Sequence, residues 1–322
     1  MKASLVPLAR APPPRCLLAD AEDMLRYAFM LPTATGVATS CQLAGIGGAA
    51  LFSPIFLLIF PLLGPEYPLD SPAQAIASAL LTEVFGFSSG LTGYARRGLV
   101  DWRIALQFAA VSIPAAFGGA LAAGSVAADP TILRGVYATL MLSISAYLTL
   151  APSPEAIAAE ECEVDDDGGD TRTKTTADGK RKFTYLAPQK GSASSTGATA
   201  GGGFLTGLLG VGIGETVLPQ LVRGCCMPVP LAAGTSVATV VVTAAAAALV
   251  QFASLAAATG GDLASAVPFP LVMWTIPGVL VGGQLAPFLA SRGAFTDEQI
   301  ERFAAAVFAV VGLAFAAKAA VG

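Results

Sequence analysis

Histidine is missing from all 322 residues. Its absence removes Ser/His/Asp and Cys/His catalysis together with every His-ligated metal site. Charge is scarce too: 12% of residues are Asp, Glu, Lys or Arg, about half the share usual in a soluble domain. A water-soluble fold could not cover itself with so few. The 18 basic residues build no aromatic-interleaved stripe, which argues against a nucleic-acid partner. Cys16, Cys41, Cys162, Cys225 and Cys226 form neither a CxxC metal pattern nor a disulfide framework. The adjacent Cys225 and Cys226 read as loop filler more readily than as a redox pair. No GxxxxGK[ST] phosphate loop and no other cofactor signature is present, so any work the protein does draws on an ion gradient or a membrane potential.

The abundant material is apolar, at 54% of residues and a mean hydropathy of +0.68. A bilayer core of about 30 Å needs about 20 helical residues. Ile104 to Gly124 meets that length without a charge, and similar stretches lie near 28–63, 73–94, 131–151, 197–222, 231–256, 267–290 and 298–320. The expected fold is therefore an all-α integral membrane protein of about eight transmembrane helices. The first stretch is too long for one crossing and is interrupted at Gly45-Ile46-Gly47-Gly48.

Residues 1–27 lack the uninterrupted apolar core of a secretory signal, and Asp20, Glu22 and Asp23 break the acid-poor pattern of an organellar transit segment. This segment is expected to be cytoplasmic. Residues 152–196 run from acids through bases to small polar residues, and are expected to form a disordered cytoplasmic linker.

On either side of the linker the chain repeats itself. Gly45 precedes Pro54 by nine residues in GIGGAALFSP, and Gly210 precedes Pro219 by the same nine in GVGIGETVLP. ASALLT, with Ser78 and Thr82, pairs with GTSVAT, with Thr235 and Thr239. Pro114 stands five before Gly119 as Pro277 stands five before Gly282. Two related four-helix halves follow, residues 28–151 and 197–322. With the amino terminus inside, fourteen basic residues fall on cytoplasmic segments and four on the opposite side, a strong positive-inside signal. Both termini and the linker are then cytoplasmic, in a multi-pass protein of the plasma membrane. Arg96, Arg97 and Arg103 in YARRGLVDWR read first as topology determinants, and second as a basic mouth that gathers anions.

Broken apolar helices at matching positions in two halves point to a transporter site. Glycine lets backbone leave helical geometry and lets a ligand approach, while the freed N–H groups can hold an anion. Such backbone at membrane depth must line a cavity or be buried in protein; the plainer reading is close helix packing. Ser78, Thr82, Thr235, Ser236 and Thr239 fall on the helix after each break, where hydroxyls can donate to an anion or simply bond back to their own helix. Glu83 and Glu215 are the two acids deep in apolar spans. Charged groups there are costly, so each is a candidate for proton coupling; the alternative is a neutral acid hydrogen-bonded between helices.

The order GIGGAALFSP, GYARRGLVDWRIAL, IPAAFGGALA, GVGIGETVLP and LAAGTSVAT resembles the TauE/SafE family of sulfite exporters, over residues 33–150 and 197–320. The resemblance implies a permease for small sulfur-containing anions such as sulfite or organosulfonates. Its signature positions would be Gly45, Gly47, Gly48 and Pro54, then Gly210, Gly212, Gly214 and Pro219. Many relatives run three or four consecutive glycines here, and Glu215 inside such a segment is a departure. The expected function is secondary transport of such anions through the lipid bilayer, and the sequence is compatible with a homo-oligomer. The rivals are an intramembrane enzyme using paired carboxylates and a membrane scaffold with the linker as docking arm.

Overall fold

The computed structural model describes residues 21–150, 171–186, 193–258, 260, 266–292 and 297–321, apart from positions 66, 68, 70, 128, 178 and 180. Cys16 and Cys162 lie outside the described residues.

A short α1 (Ala21–Arg26) leads into α2 (Met30–Ala44), which stops at Gly45. After the break the chain re-enters helix as α3 (Ala49–Pro54), a π-helical turn (Ile55–Ile59) and α4 (Phe60–Leu63). Three long helices complete the half: α5 (Pro72–Arg96), α6 (Trp102–Ala127) and α7 (Pro130–Leu150). The second half follows the same order. Helix α8 (Ala193–Leu209) ends in a break, α9 (Ile213–Pro219) runs into a π-helical turn (Gln220–Gly224), and α10 (Val229–Ala258), α11 (Phe269–Arg292) and α12 (Asp297–Val321) follow. In both halves the proline closes the short helix and the π turn begins at the next residue.

Among the described residues, five helices are long and apolar enough to cross a membrane: Pro72–Arg96, Trp102–Ala123, Thr131–Leu150, Val229–Ala258 and Phe269–Leu289. Two shorter apolar helices, Ala49–Leu63 and Ala305–Ala320, accompany them. This is an all-α membrane protein. Side-chain caps start the three long helices of the first half. Ser71 accepts the Gln74 N–H at 3.1 Å ahead of α5, Asp101 accepts from Arg103 and Ile104 ahead of α6, and Asp129 accepts from Thr131 ahead of α7. Each satisfies amides the first helical turn leaves without a partner.

The two halves do not stand as separate bundles. Helix α2 packs on α11 of the other half, and its counterpart α8 packs on α6 of the first. Helices α5 and α10 pack together at the centre, while α7 pairs with α12. Small residues make this interlocking close. Gly119, Gly203 and Gly207 bring α6 and α8 backbone to backbone, and Gly278 and Gly282 do the same for α11 and α2.

Within the linker, the described residues include ordered structure. Residues Thr171–Thr175 (β1) and Lys182–Leu186 (β2) form an antiparallel hairpin. Its strands are pinned from outside: Leu186 N–H donates to the Cys225 carbonyl at 2.8 Å and Ala177 N–H to the Arg97 carbonyl at 3.0 Å. Tyr185, 1% exposed, donates to Asp101 Oδ2 at 2.6 Å, where Arg172 approaches to 3.8 Å. Asp101 therefore ties together a helix start, the hairpin and, through its own N–H on Thr235 Oγ1 at 3.0 Å, helix α10. Burial and the bond to Asp101 both push the Tyr185 phenol up, so it remains a donor at neutral pH. Cys225 is a free, buried thiol, pushed up to about 11 chiefly by burial, and Cys226 is disulfide-bonded. The adjacent pair is thus not a dithiol.

Tyr185→Phe should destabilise the protein by about 1–3 kcal/mol, because it leaves a buried carboxylate short of a donor. The readouts are thermal unfolding in detergent and faster proteolysis of the 171–186 hairpin. An unchanged melting temperature and cleavage rate would contradict the anchoring role.

Candidate functional site: two broken helices meeting at a pair of carboxyls

Each break is made by a glycine in a conformation side-chain-bearing residues avoid. Gly45 has φ +68 and Gly210 φ +83, and their N–H groups fold back onto the Cys41 and Thr206 carbonyls. Gly212 has φ +141. The Leu209 carbonyl at the end of α8 is left without a helical donor. Tyr137 Oη from α7 and Ser53 Oγ from α3 both donate to it. The Ile213 amide, at the start of α9, finds Thr206 Oγ1 at 2.8 Å. Buried backbone at the breaks is thus satisfied side chain by side chain.

The breaks pack directly on one another. A Cβ at Gly214 would lie 3.0 Å from the Gly47 nitrogen, and one at Gly210 would lie 3.2 Å from Ala49 Cβ. Between them stands the Glu215 carboxyl. One oxygen accepts the Gly47 N–H at 3.1 Å and the other accepts the Gly212 N–H at 3.1 Å. Both glycines stand seven residues before the proline of their own repeat. One carboxyl therefore binds the same amide in both halves.

Glu83, on α5, is the second acid. It is 2% exposed, and its Oε1 lies 2.8 Å from where a Gly47 Cβ would be, with Glu215 Oε1 3.6 Å from the same point. The amides of Gly48 and Ala49 face its carboxyl, but neither Glu83 oxygen makes a hydrogen bond of ordinary geometry. The salt bridges among the described residues include neither acid. Glu215, by contrast, is partly exposed. Two carboxyls thus flank one glycine with no cation between them.

The other candidates divide. Gly48 gives room to Phe87, whose ring would sit 3.2 Å from an added Cβ. Pro54 and Pro219 end the short helices and open the π turns. Thr82 donates back to the Ser78 carbonyl at 2.8 Å and shares a hydrogen bond with Thr275 Oγ1. Thr235 donates to Leu231 while holding the Asp101 amide, and Thr239 bonds the Thr235 and Ala105 carbonyls. These three hydroxyls are committed to helix contacts. Ser78 and Ser236 are buried and their hydroxyls have no partner. Sequence reasoning missed Thr206, Tyr137 and Ser53, whose roles depend on contacts from distant helices. It also passed over Cys41, a buried thiol near both acids, and Gln42, whose amide donates to the Gly86 carbonyl while its Oε1 is unpartnered. A lone amide side chain in an apolar run was the available signal for Gln42.

Against known families, the sequence model described as Sulfite exporter TauE/SafE matches residues 30–315. The chain belongs to the TauE/SafE family. The match spans both halves and the linker, so both breaks and both acids stand inside the TauE/SafE region. No curated protein and no solved structure matches the chain. A TauE/SafE protein is a membrane transporter of the sulfite-exporter type, and the paired breaks are the part of this one with chemistry to offer an ion.

The two glycines facing Glu215 should differ in tolerance. Gly212→Ala should cost on the order of 1–3 kcal/mol, because its backbone conformation excludes a side chain and the new Cβ would lie 2.8 Å from the Gly202 carbonyl. Gly47→Ala meets only the movable end of Glu83 and should keep the fold. Gly47→Leu should insert into membranes yet lose transport. Wild-type flux in Gly47→Leu would return this glycine to helix packing alone.

Proposed function

We propose that the protein moves small sulfur-containing anions, sulfite or organosulfonates, out across the plasma membrane. The site is the meeting point of the two breaks, and Glu83 and Glu215 couple transport to protons. The observation that carries the reading is the pair of carboxyls flanking Gly47 at the junction of both repeats. An anion entering a site that holds two ionised acids is repelled, whereas a protonated carboxyl tolerates it and can donate to its oxygens. Proton and anion then occupy the site together. The amides of Gly47 and Gly212, with Gly45, Gly48, Gly210 and Gly214 giving them room, supply further donors. Ser78 and Ser236 keep unused hydroxyls, while Thr82, Thr235 and Thr239 hold the surrounding helices.

The expectation that both termini and the linker share the cytoplasmic side does not fit the packing: Tyr27 packs on Tyr67 just before the 25-residue α5, and Arg134 at the start of α7 meets Lys318, whereas the 171–186 hairpin binds Arg97 at the far end of α5, so the termini and the hairpin stand at opposite ends of the bundle. Arg96, Arg97 and Arg103 stand at the hairpin's end of α5 and α6. A homo-oligomer fits this arrangement but is not required by it. The enzyme and scaffold readings gain no observation of their own.

Glu83 is the cleaner probe of coupling, because it does not bridge the two breaks as Glu215 does. At Glu215, glutamine would turn an NH2 group toward one of two amide donors. Glu83→Gln should therefore retain sulfite exchange in proteoliposomes and lose its acceleration by an imposed pH gradient. A Glu83→Gln protein that responds to the gradient as the wild type does would remove Glu83 from the coupling path.

A further inference from the structure

The Gly47 and Gly212 amides are both buried, and each donates to a Glu215 oxygen at 3.1 Å. Without that carboxyl two buried N–H groups in a membrane interior would lose their acceptor. What the two amides hold is a carboxyl, two oxygens on one centre, one to each amide. That is also the chemistry of one edge of a sulfite, sulfonate or carboxylate ion. Beside it, Glu83 is 2% exposed and faces the Gly48 and Ala49 amides without a well-formed hydrogen bond, with Oε1 2.8 Å from the Cβ position of the same Gly47. A purely structural bridge would not need a second acid aimed at it.

We propose that Glu215 is a resident anion: its carboxylate occupies the seat of the transported ion and must leave the two amides when that ion arrives. This rests on the reading of the breaks as the transport site and adds a competitor built into the chain. The seat selects an anionic group with at least two oxygens on one atom, because each amide needs its own acceptor. A protonated Glu83 would donate to a further oxygen of the ion, which a sulfite or sulfonate carries and a carboxylate lacks. The departing Glu215 either takes a proton or turns its carboxylate through its partly exposed side.

The test removes the tethered competitor and offers free ones. Purified wild type, Glu215→Ala and Glu215→Asp are titrated with sulfite, formate and chloride, reading thermal stabilisation in detergent and direct binding by calorimetry. Formate should stabilise and bind Glu215→Ala while leaving the wild type unaffected. Sulfite should bind Glu215→Ala at least tenfold more tightly than wild type, and chloride should bind neither. If Glu215→Ala does not fold, Glu215→Asp, one methylene too short to span both amides, should show a smaller gain of the same sign. A folded variant that binds formate and sulfite no better than wild type overturns the proposal. Formate binding by Glu215→Ala without sulfite binding or flux in any form of the protein would uphold the seat and refute sulfite as the cargo.

Discussion

A carboxylate at position 215 joins two stretches of backbone that the membrane would otherwise make very expensive to expose. Amides freed by a broken helix cannot turn to water at that depth, so they must find acceptors inside the protein. Glu215 supplies one oxygen to Gly47 and one to Gly212, and the two breaks are held against each other as a result. The rest of the centre follows from that contact. A Cβ at Gly214 would press to 3.0 Å from the Gly47 nitrogen, and Tyr137, Ser53 and Thr206 turn inward to satisfy the cut ends at the second break.

The interlocked packing gives this junction leverage. Each broken helix leans on a long helix of the opposite half, α2 on α11 and α8 on α6, while α5 and α10 meet at the centre. A rearrangement at the junction of the breaks would therefore be felt by both halves at once, as the proposed transport site requires. The Asp101 hub acts at a different place. It joins the hairpin of the linker to the start of α6 and to Thr235 of α10, so the segment connecting the halves is itself built into their packing.

Much of this was legible because the repeat is written in glycine and proline, whose backbone preferences set them apart in an apolar run. The nine-residue spacing from glycine to proline marked both breaks, and the scarcity of acids in apolar runs singled out Glu83 and Glu215. The bond from Glu215 to Gly47 was not legible, since it spans 168 residues and depends on how the halves interlock. Thr235 misled for a related reason. Its helical face suited a ligand, but the start of α6 claims its hydroxyl. The hairpin was hidden by composition: in TRTKTTADGKRKFTYL two short runs of β-favouring residues flank a turn sequence, yet the surrounding acids and small polar residues made the whole stretch read as disordered.

The central claim, that the transported ion sits where the two breaks meet and displaces a carboxylate, can be seen directly with selenite, a heavier analogue of sulfite. Crystals grown with selenite and measured at the selenium edge should show an anomalous peak beside the Gly47 and Gly212 amides, with the Glu215 carboxyl moved off them. A selenium site confined to Arg96, Arg97 and Arg103, with Glu215 still bound to both glycines, would contradict the account.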